Sequence, residues 1–219
     1  MKTALIAGAT GLVGSHLTDQ LLDNEQYSRV KILVRKPIEK NHHRLEQVIY
    51  DYDQPDLAAV RADEVYCCLG TTIKKAGSRE AFRKVDLEYP LQIARAAKQN
   101  GTKHFAIVTA IGSSTKSAFF YNRVKGEIEE LLKEAGFERL LIFRPSMLLG
   151  PRSEFRFGEE AGKVIFKAAG FLFPKNMKGI HAAKVAAAMI WHMQKEKEKG
   201  IRYIESGQMQ QFPVNSSPK

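Results

Sequence analysis

Tyr121 and Lys125, in the run Tyr121-Asn122-Arg123-Val124-Lys125, have the types and spacing for a proton transfer. Residues four apart on a helix share one face, which brings a phenol beside an ammonium. The cation favours the phenolate, so the phenol can give its proton to a carbonyl oxygen as a hydride reaches the carbon. Tyrosine and lysine occur at this spacing on many helices. The pair gains meaning only in a setting that supplies the hydride.

The amino terminus offers that setting. Lys2-Thr3-Ala4-Leu5-Ile6-Ala7-Gly8-Ala9-Thr10-Gly11-Leu12-Val13-Gly14 runs from an apolar strand through a glycine turn into a segment carrying Leu12, Val13, Leu17, Leu21 and Leu22. Gly8 permits the tight turn, Gly11 lets backbone N–H groups approach a pyrophosphate, and Gly14 lets the helix pack on the strand. The anion would sit at the helix amino terminus, where free N–H groups and the helix dipole favour negative charge. A tight turn in an unrelated α/β protein is the plainer alternative. With a strand before the turn and a helix after it, the sequence predicts a dinucleotide site.

In such a sheet the ligand lies across the carboxyl ends of the strands. Arg35-Lys36 follows the second strand, where a preference for NAD usually places a carboxylate for the ribose hydroxyls. Two cations there favour a 2′-phosphate, and so NADP(H), although solvated surface cations would look the same. Leu69-Gly70-Thr71-Thr72 follows the fourth strand, with Gly70 letting backbone pass close to the ligand. Lys74 and Lys75 come next, suited to phosphate or to plain solvation.

Strands must position these residues, and short β-forming runs occur at 5–7, 30–34, 48–50, 65–69, 105–108 and 140–143. Helical spacing is present over 79–100, through Phe82, Val85, Leu91, Ile93 and Ala97. It returns over 117–135, through Val124, Ile128, Leu131 and Leu132, and ends at Gly136. A weak third strand and a reduced helix over 54–60 fill the interval between the second and fourth strands. Alternation of strands and helices implies an α/β fold, a doubly wound parallel sheet with helices on both faces. Beyond Phe143, helices over 158–169 and 182–194 and a strand over 202–205 are expected. Residues 1–219 then form a single Rossmann-like domain, with 144–200 contributing a small substrate-side cap.

The 219 residues suffice for one substantial core, and 44% hydrophobic with 26% charged residues is ordinary for a globular chain. No apolar run approaches the roughly 20 residues of a membrane span, and no signal-peptide pattern is present, so a cytoplasmic location is expected. The charge is +10, but the basic residues are dispersed and no nucleic-acid motif accompanies them. Cys67 and Cys68 are adjacent, which opposes a bridge between them and suits two small buried hydrophobes on opposite faces. The six histidines lack metal-ligand spacing, so no metal site is expected.

The glycine motif and Tyr121-xxx-Lys125 together resemble the short-chain dehydrogenase/reductase superfamily, in its atypical, NmrA-like branch. Four longer segments are similar to the small Tat-interacting-protein-like oxidoreductases: Cys67-Cys68-Leu69-Gly70-Thr71-Thr72, Lys75-Ala76-Gly77-Ser78, Tyr121-xxx-Lys125-Gly126-Glu127 and Phe143-Arg144-Pro145-Ser146-Met147-Leu148-Leu149-Gly150. The resemblance runs from residue 3 to about residue 205. It implies NADPH contacts at Thr10, Gly11, Leu12, Val13, Arg35, Lys36, Leu69, Gly70, Tyr121, Lys125, Leu148 and Arg156. It also implies that Lys125 binds the nicotinamide ribose hydroxyls and that Tyr121 donates the proton.

Two departures stand out. Superfamily reductases usually carry a serine at the end of the fifth strand to hold the substrate oxygen. Here the stretch reads Val108-Thr109-Ala110-Ile111-Gly112-Ser113-Ser114, leaving Thr109 or Ser113 for that role. Asp86 stands where many extended members carry a structural asparagine. The expectation is an NADP-dependent oxidoreductase reducing a small carbonyl-like substrate. The alternative is an NADPH-binding regulatory protein with a protein partner and little catalysis. A sugar-nucleotide epimerase is a third reading, for which the chain is short. Oligomeric state is left open.

Overall fold

Along β1 (Lys2–Ala7) successive side chains alternate between two apolar faces. Ala4 and Ile6 join one buried cluster, while Leu5 and Ala7 join another. A strand buried on both faces belongs at the centre of a parallel sheet covered by helices, and that is the arrangement in the computed structural model. It describes residues 1–150, 178–195 and 198–214.

Seven strands form one sheet in the order β3-β2-β1-β4-β5-β6-β9, all pairs parallel. The others are β2 (Tyr27–Val34), β3 (Leu45–Ile49), β4 (Glu64–Cys67), β5 (His104–Val108), β6 (Arg139–Arg144) and β9 (Gly200–Glu205). The chain starts in the middle, winds outward through β2 and β3, then returns beside β1 as β4 and continues the other way. The point where winding reverses lies between β1 and β4, and connecting loops there diverge to leave a crevice.

One face is covered by α1 (Leu12–Leu22) and α6 (Ala182–Lys195), through Val13, Leu17, Leu21, Val185, Ala186, Met189 and Met193. The other is covered by α3 (Arg79–Arg83), α4 (Tyr89–Gln99) and α5 (Phe120–Lys133), through Phe82, Ile93, Ala97, Val124, Ile128 and Leu132. Cys67 and Cys68 fall in opposite clusters, on the two faces of the sheet. Burial pushes the Cys67 thiol up to about 11, so it stays protonated and inert.

The helix expected as one piece over 79–100 is interrupted. Residues Lys84–Glu88 form a π turn, in which the Tyr89 N–H donates to the Lys84 carbonyl. Pro90 is the physical cause, because it has no N–H for the bond an α-helix would require at that point. The wider turn buries both Asp86 and Leu87. The reduced helix near 54–60 is a single tight turn, Leu57–Ala59.

Much of the region expected as a cap, 144–200, lies outside the described residues, and its described helix packs on the main sheet. Helix α6 packs its small residues, Ala182, Ala186 and Ala188, into the sheet-facing cluster, and β9 extends the main sheet. Small side chains let a helix approach a sheet closely, which spacing alone does not reveal. The remaining pieces are β7 (Leu148–Leu149), paired in parallel with β8 (Ile180–His181), and the short α7 (Ser206–Met209). His181 ends β8 directly before α6. The helix expected over 158–169 and the candidate Arg156 lie outside the described residues.

Candidate functional site

The glycine turn after β1 meets the loop after β4 at the reversal point. Gly8 has φ +85°, and a Cβ there would lie 2.7 Å from the Cys68 carbonyl carbon, so only glycine lets the two loops cross so closely. A Cβ on Gly14 would lie 2.1 Å from the Gly8 carbonyl oxygen, which fixes how tightly α1 seats on the end of β1. Gly11 is the N-cap of α1 in extended backbone; no side chain caps the helix, and its first turn holds no acid. The amino-terminal charge of this 11-residue helix is therefore left for a ligand to satisfy.

A cleft of about 350 Å³ opens at this place. Gly8, Thr10, Gly11 and Leu12 form its floor; Leu69, Gly70, Thr71 and Thr72 form the wall after β4; Leu148 closes one end. Val13 and Gly14 are buried beneath the floor. Arg35, at the end of β2, lines the cleft with an exposed guanidinium and has no acidic partner among the described residues. Lys36 is exposed and does not line the cleft. Lys75, from α2 (Ile73–Ala76), does line it.

Two lining residues went unnoticed in the sequence. Tyr52 and Tyr89 stack with ring centroids 4.9 Å apart and an interplanar angle of 29°, making a flat aromatic wall near Arg35. The Tyr89 hydroxyl donates to Asp53 Oδ1 at 2.7 Å, and Lys84 pairs with the same oxygen at 2.7 Å. Burial holds the Tyr52 phenol protonated. The only signal was an aromatic residue three positions after the weak third strand.

Tyr121 and Lys125 occupy the first two turns of α5, one turn apart. Tyr121 is half-buried, with its ring 5.6 Å from that of Phe82. The Lys125 ammonium lies 2.8 Å from Asp86 Oδ1, and both side chains are almost wholly buried, 3% and 1% exposed. The approach is that of an ion pair rather than an aligned hydrogen bond. The other carboxylate oxygen, Oδ2, accepts the Thr71 backbone N–H at 2.8 Å. Neither Tyr121 nor Lys125 lines the cleft itself, so Lys125 is tied to it through Asp86 and Thr71.

The two hydroxyls expected to orient a substrate are engaged elsewhere. Thr109 donates to Glu129 Oε1 at 2.6 Å, and Arg144 grips the same carboxylate with Nε at 3.0 Å and with Nη2. Ser113 donates to the Ala110 carbonyl at 2.7 Å. Both side chains are buried.

A parallel sheet with a glycine turn and an uncapped helix at its reversal point defines a Rossmann-type dinucleotide-binding protein. A family model described as NAD(P)H-binding matches residues 8–196, and the chain belongs to that family. It is similar to Protein HTATIP2 of Rattus norvegicus, 36% identical over 75% of this chain and 70% of that protein. It is also similar to Protein FMP52, mitochondrial, of Eremothecium gossypii, 32% identical over 94% and 95% of the two chains. These relatives bear out the atypical, NmrA-like resemblance. Among solved structures, UDP-glucuronic acid 4-epimerase from Bacillus cereus, in complex with UDP-glucuronic acid and NAD, superposes with a TM-score of 0.69. The match covers 93% of this chain and 77% of that one at 15% identity, which shows a common fold alone.

The expectation of a cytoplasmic location is overturned. FMP52 relatives from several fungi are mitochondrial by name, and an absent signal-peptide pattern says nothing against that compartment. Among the described residues, no helix is long and apolar enough to cross a membrane.

Proposed function

We propose that the protein is an NADPH-dependent oxidoreductase that reduces a small carbonyl-like substrate. The observation that carries the cofactor choice is Arg35, an exposed cation with no acidic partner among the described residues, on the cleft wall where a carboxylate would select NAD. Arg35, helped by Lys36, would hold the 2′-phosphate, and the open end of α1 at Gly11, Leu12 and Val13 would hold the pyrophosphate. The Tyr52–Tyr89 wall suits the flat base. Leu69, Gly70 and Leu148 line the same cleft and would flank the cofactor there.

When bound, the cofactor supplies a hydride. Lys125 would bind the adjoining ribose, and Tyr121 would give its phenolic proton to the substrate oxygen. Their spacing on α5 and the reversal-point cleft support this reading. Calorimetric titration with NADPH and NADH tests the first half, with NADPH expected to bind more tightly. Equal affinity for the two would remove the 2′-phosphate role of Arg35 and Lys36. Oxidation of NADPH across a panel of carbonyls and quinones tests the second half.

A second reading is an NADPH-binding regulatory protein with little turnover. It is favoured by one observation: Thr109 and Ser113, the hydroxyls available to orient a substrate, already donate to Glu129 and to Ala110. Binding of NADPH with no oxidation of it across the panel would support that reading.

A further inference from the structure

We infer that Asp86 is the positioning residue that fixes Lys125 at the cofactor cleft, through a use of both carboxylate oxygens that an asparagine cannot reproduce. The inference rests on the proposed binding of NADPH. Asp86 Oδ1 faces the Lys125 ammonium at 2.8 Å, and Oδ2 takes the Thr71 N–H at 2.8 Å. One carboxylate thus joins α5 to the loop that forms the cleft wall. An asparagine has a single acceptor oxygen and an NH2 group that repels an ammonium, so it can serve Thr71 or Lys125 but not both.

Burial makes the charge matter. A lysine side chain only 3% exposed is costly to bury unless an anion compensates its charge. The π turn at Lys84–Glu88 is what turns Asp86 inward, and Val85 and Tyr89 on either side of it line the cleft. Pro90, which forces that turn, is therefore linked by geometry to the placement of Lys125.

The test compares NADPH with adenosine 2′,5′-bisphosphate, which lacks the nicotinamide riboside. Both are titrated by calorimetry against wild type, Asp86→Asn and Lys125→Met. Asp86→Asn is expected to weaken NADPH about 10-fold, the scale of one lost charged contact, and to leave the bisphosphate within about twofold. Lys125→Met should do the same, and the double variant should lose no more than either single one. Asp86→Glu keeps the charge but moves the ammonium by one methylene; it should show the same selective loss, and it serves if Asp86→Asn does not fold. Equal weakening of both ligands would reduce Asp86 to a general structural residue, and unchanged NADPH affinity would overturn its role outright. Failure of wild type to bind either ligand would instead sink the proposed function.

Discussion

Thr109 donates its hydroxyl proton to Glu129, and the carboxylate that receives it is held from the other side by Arg144. The end of β5, the middle of α5 and the end of β6 meet in this one buried contact. A residue at the position of a family catalytic serine has thus become part of the frame beneath α5. Thr109→Val should lower stability by about 1–3 kcal/mol in chemical denaturation, because a charged acceptor loses its buried donor. NADPH affinity should be unchanged; a large loss of affinity without loss of stability would return Thr109 to the site.

Arg35→Asp places a carboxylate where the cation now lines the cleft. NADPH affinity should fall about 10- to 100-fold, since a charge-assisted phosphate contact contributes about 1.5–3 kcal/mol and is replaced by repulsion. NADH affinity should hold or improve. Parallel calorimetric titrations read both.

Tyr121→Phe removes only the phenolic oxygen from a ring packed against Phe82. Turnover of any substrate found should be abolished, with NADPH affinity nearly intact. A variant as active as wild type would remove Tyr121 from the chemistry.

Gly8→Ala sets a methyl carbon 2.7 Å from the backbone of Cys68 at a φ of +85°. The strained conformation alone costs about 1–3 kcal/mol, and the clash pushes the two cleft loops apart. Both the thermal midpoint and NADPH affinity should drop, which scanning calorimetry and titration will record.

Acid should destabilise the protein through Glu64, buried at the start of the central strand β4, the opposite end of the strand from the cleft. Burial alone would raise its carboxyl, but contacts from His104, Lys2 and Tyr27 outweigh burial and hold it below the usual 4.5. Tyr27 donates at 2.5 Å and Lys2 at 2.6 Å. A depressed carboxyl contributes stability above its unfolded value, and that contribution is lost as pH falls through the lower folded value. Denaturation midpoints should therefore decline below about pH 4.5, the ordinary value for this group. Glu64→Gln should flatten that decline while lowering stability at neutral pH.

Local sequence determined a good deal of this protein. Strand–glycine–helix order fixed β1, the turn and α1, because each depends on neighbours a few residues away. The continuous apolar run of β1 announced a core strand, and the helical period placed Tyr121 and Lys125 one turn apart. The adjacent cysteines could be assigned to opposite faces for the same reason.

What periodicity leaves open is the partner, since it fixes which way a side chain points and not what it meets. Asp86 reads as a substituted asparagine until the π turn before Pro90 buries it against Lys125. Thr109 reads as a substrate hydroxyl until α5 and β6 bring Glu129 and Arg144 to it. Tyr52 and Tyr89 become one wall only when β3 and the start of α4 converge on the cleft. Arg35 and Lys36 look equivalent in the chain, yet only Arg35 lines the cleft. Each of these outcomes depends on strand order and on helices closing over the sheet, interactions between residues remote in sequence that only the tertiary structure brings together.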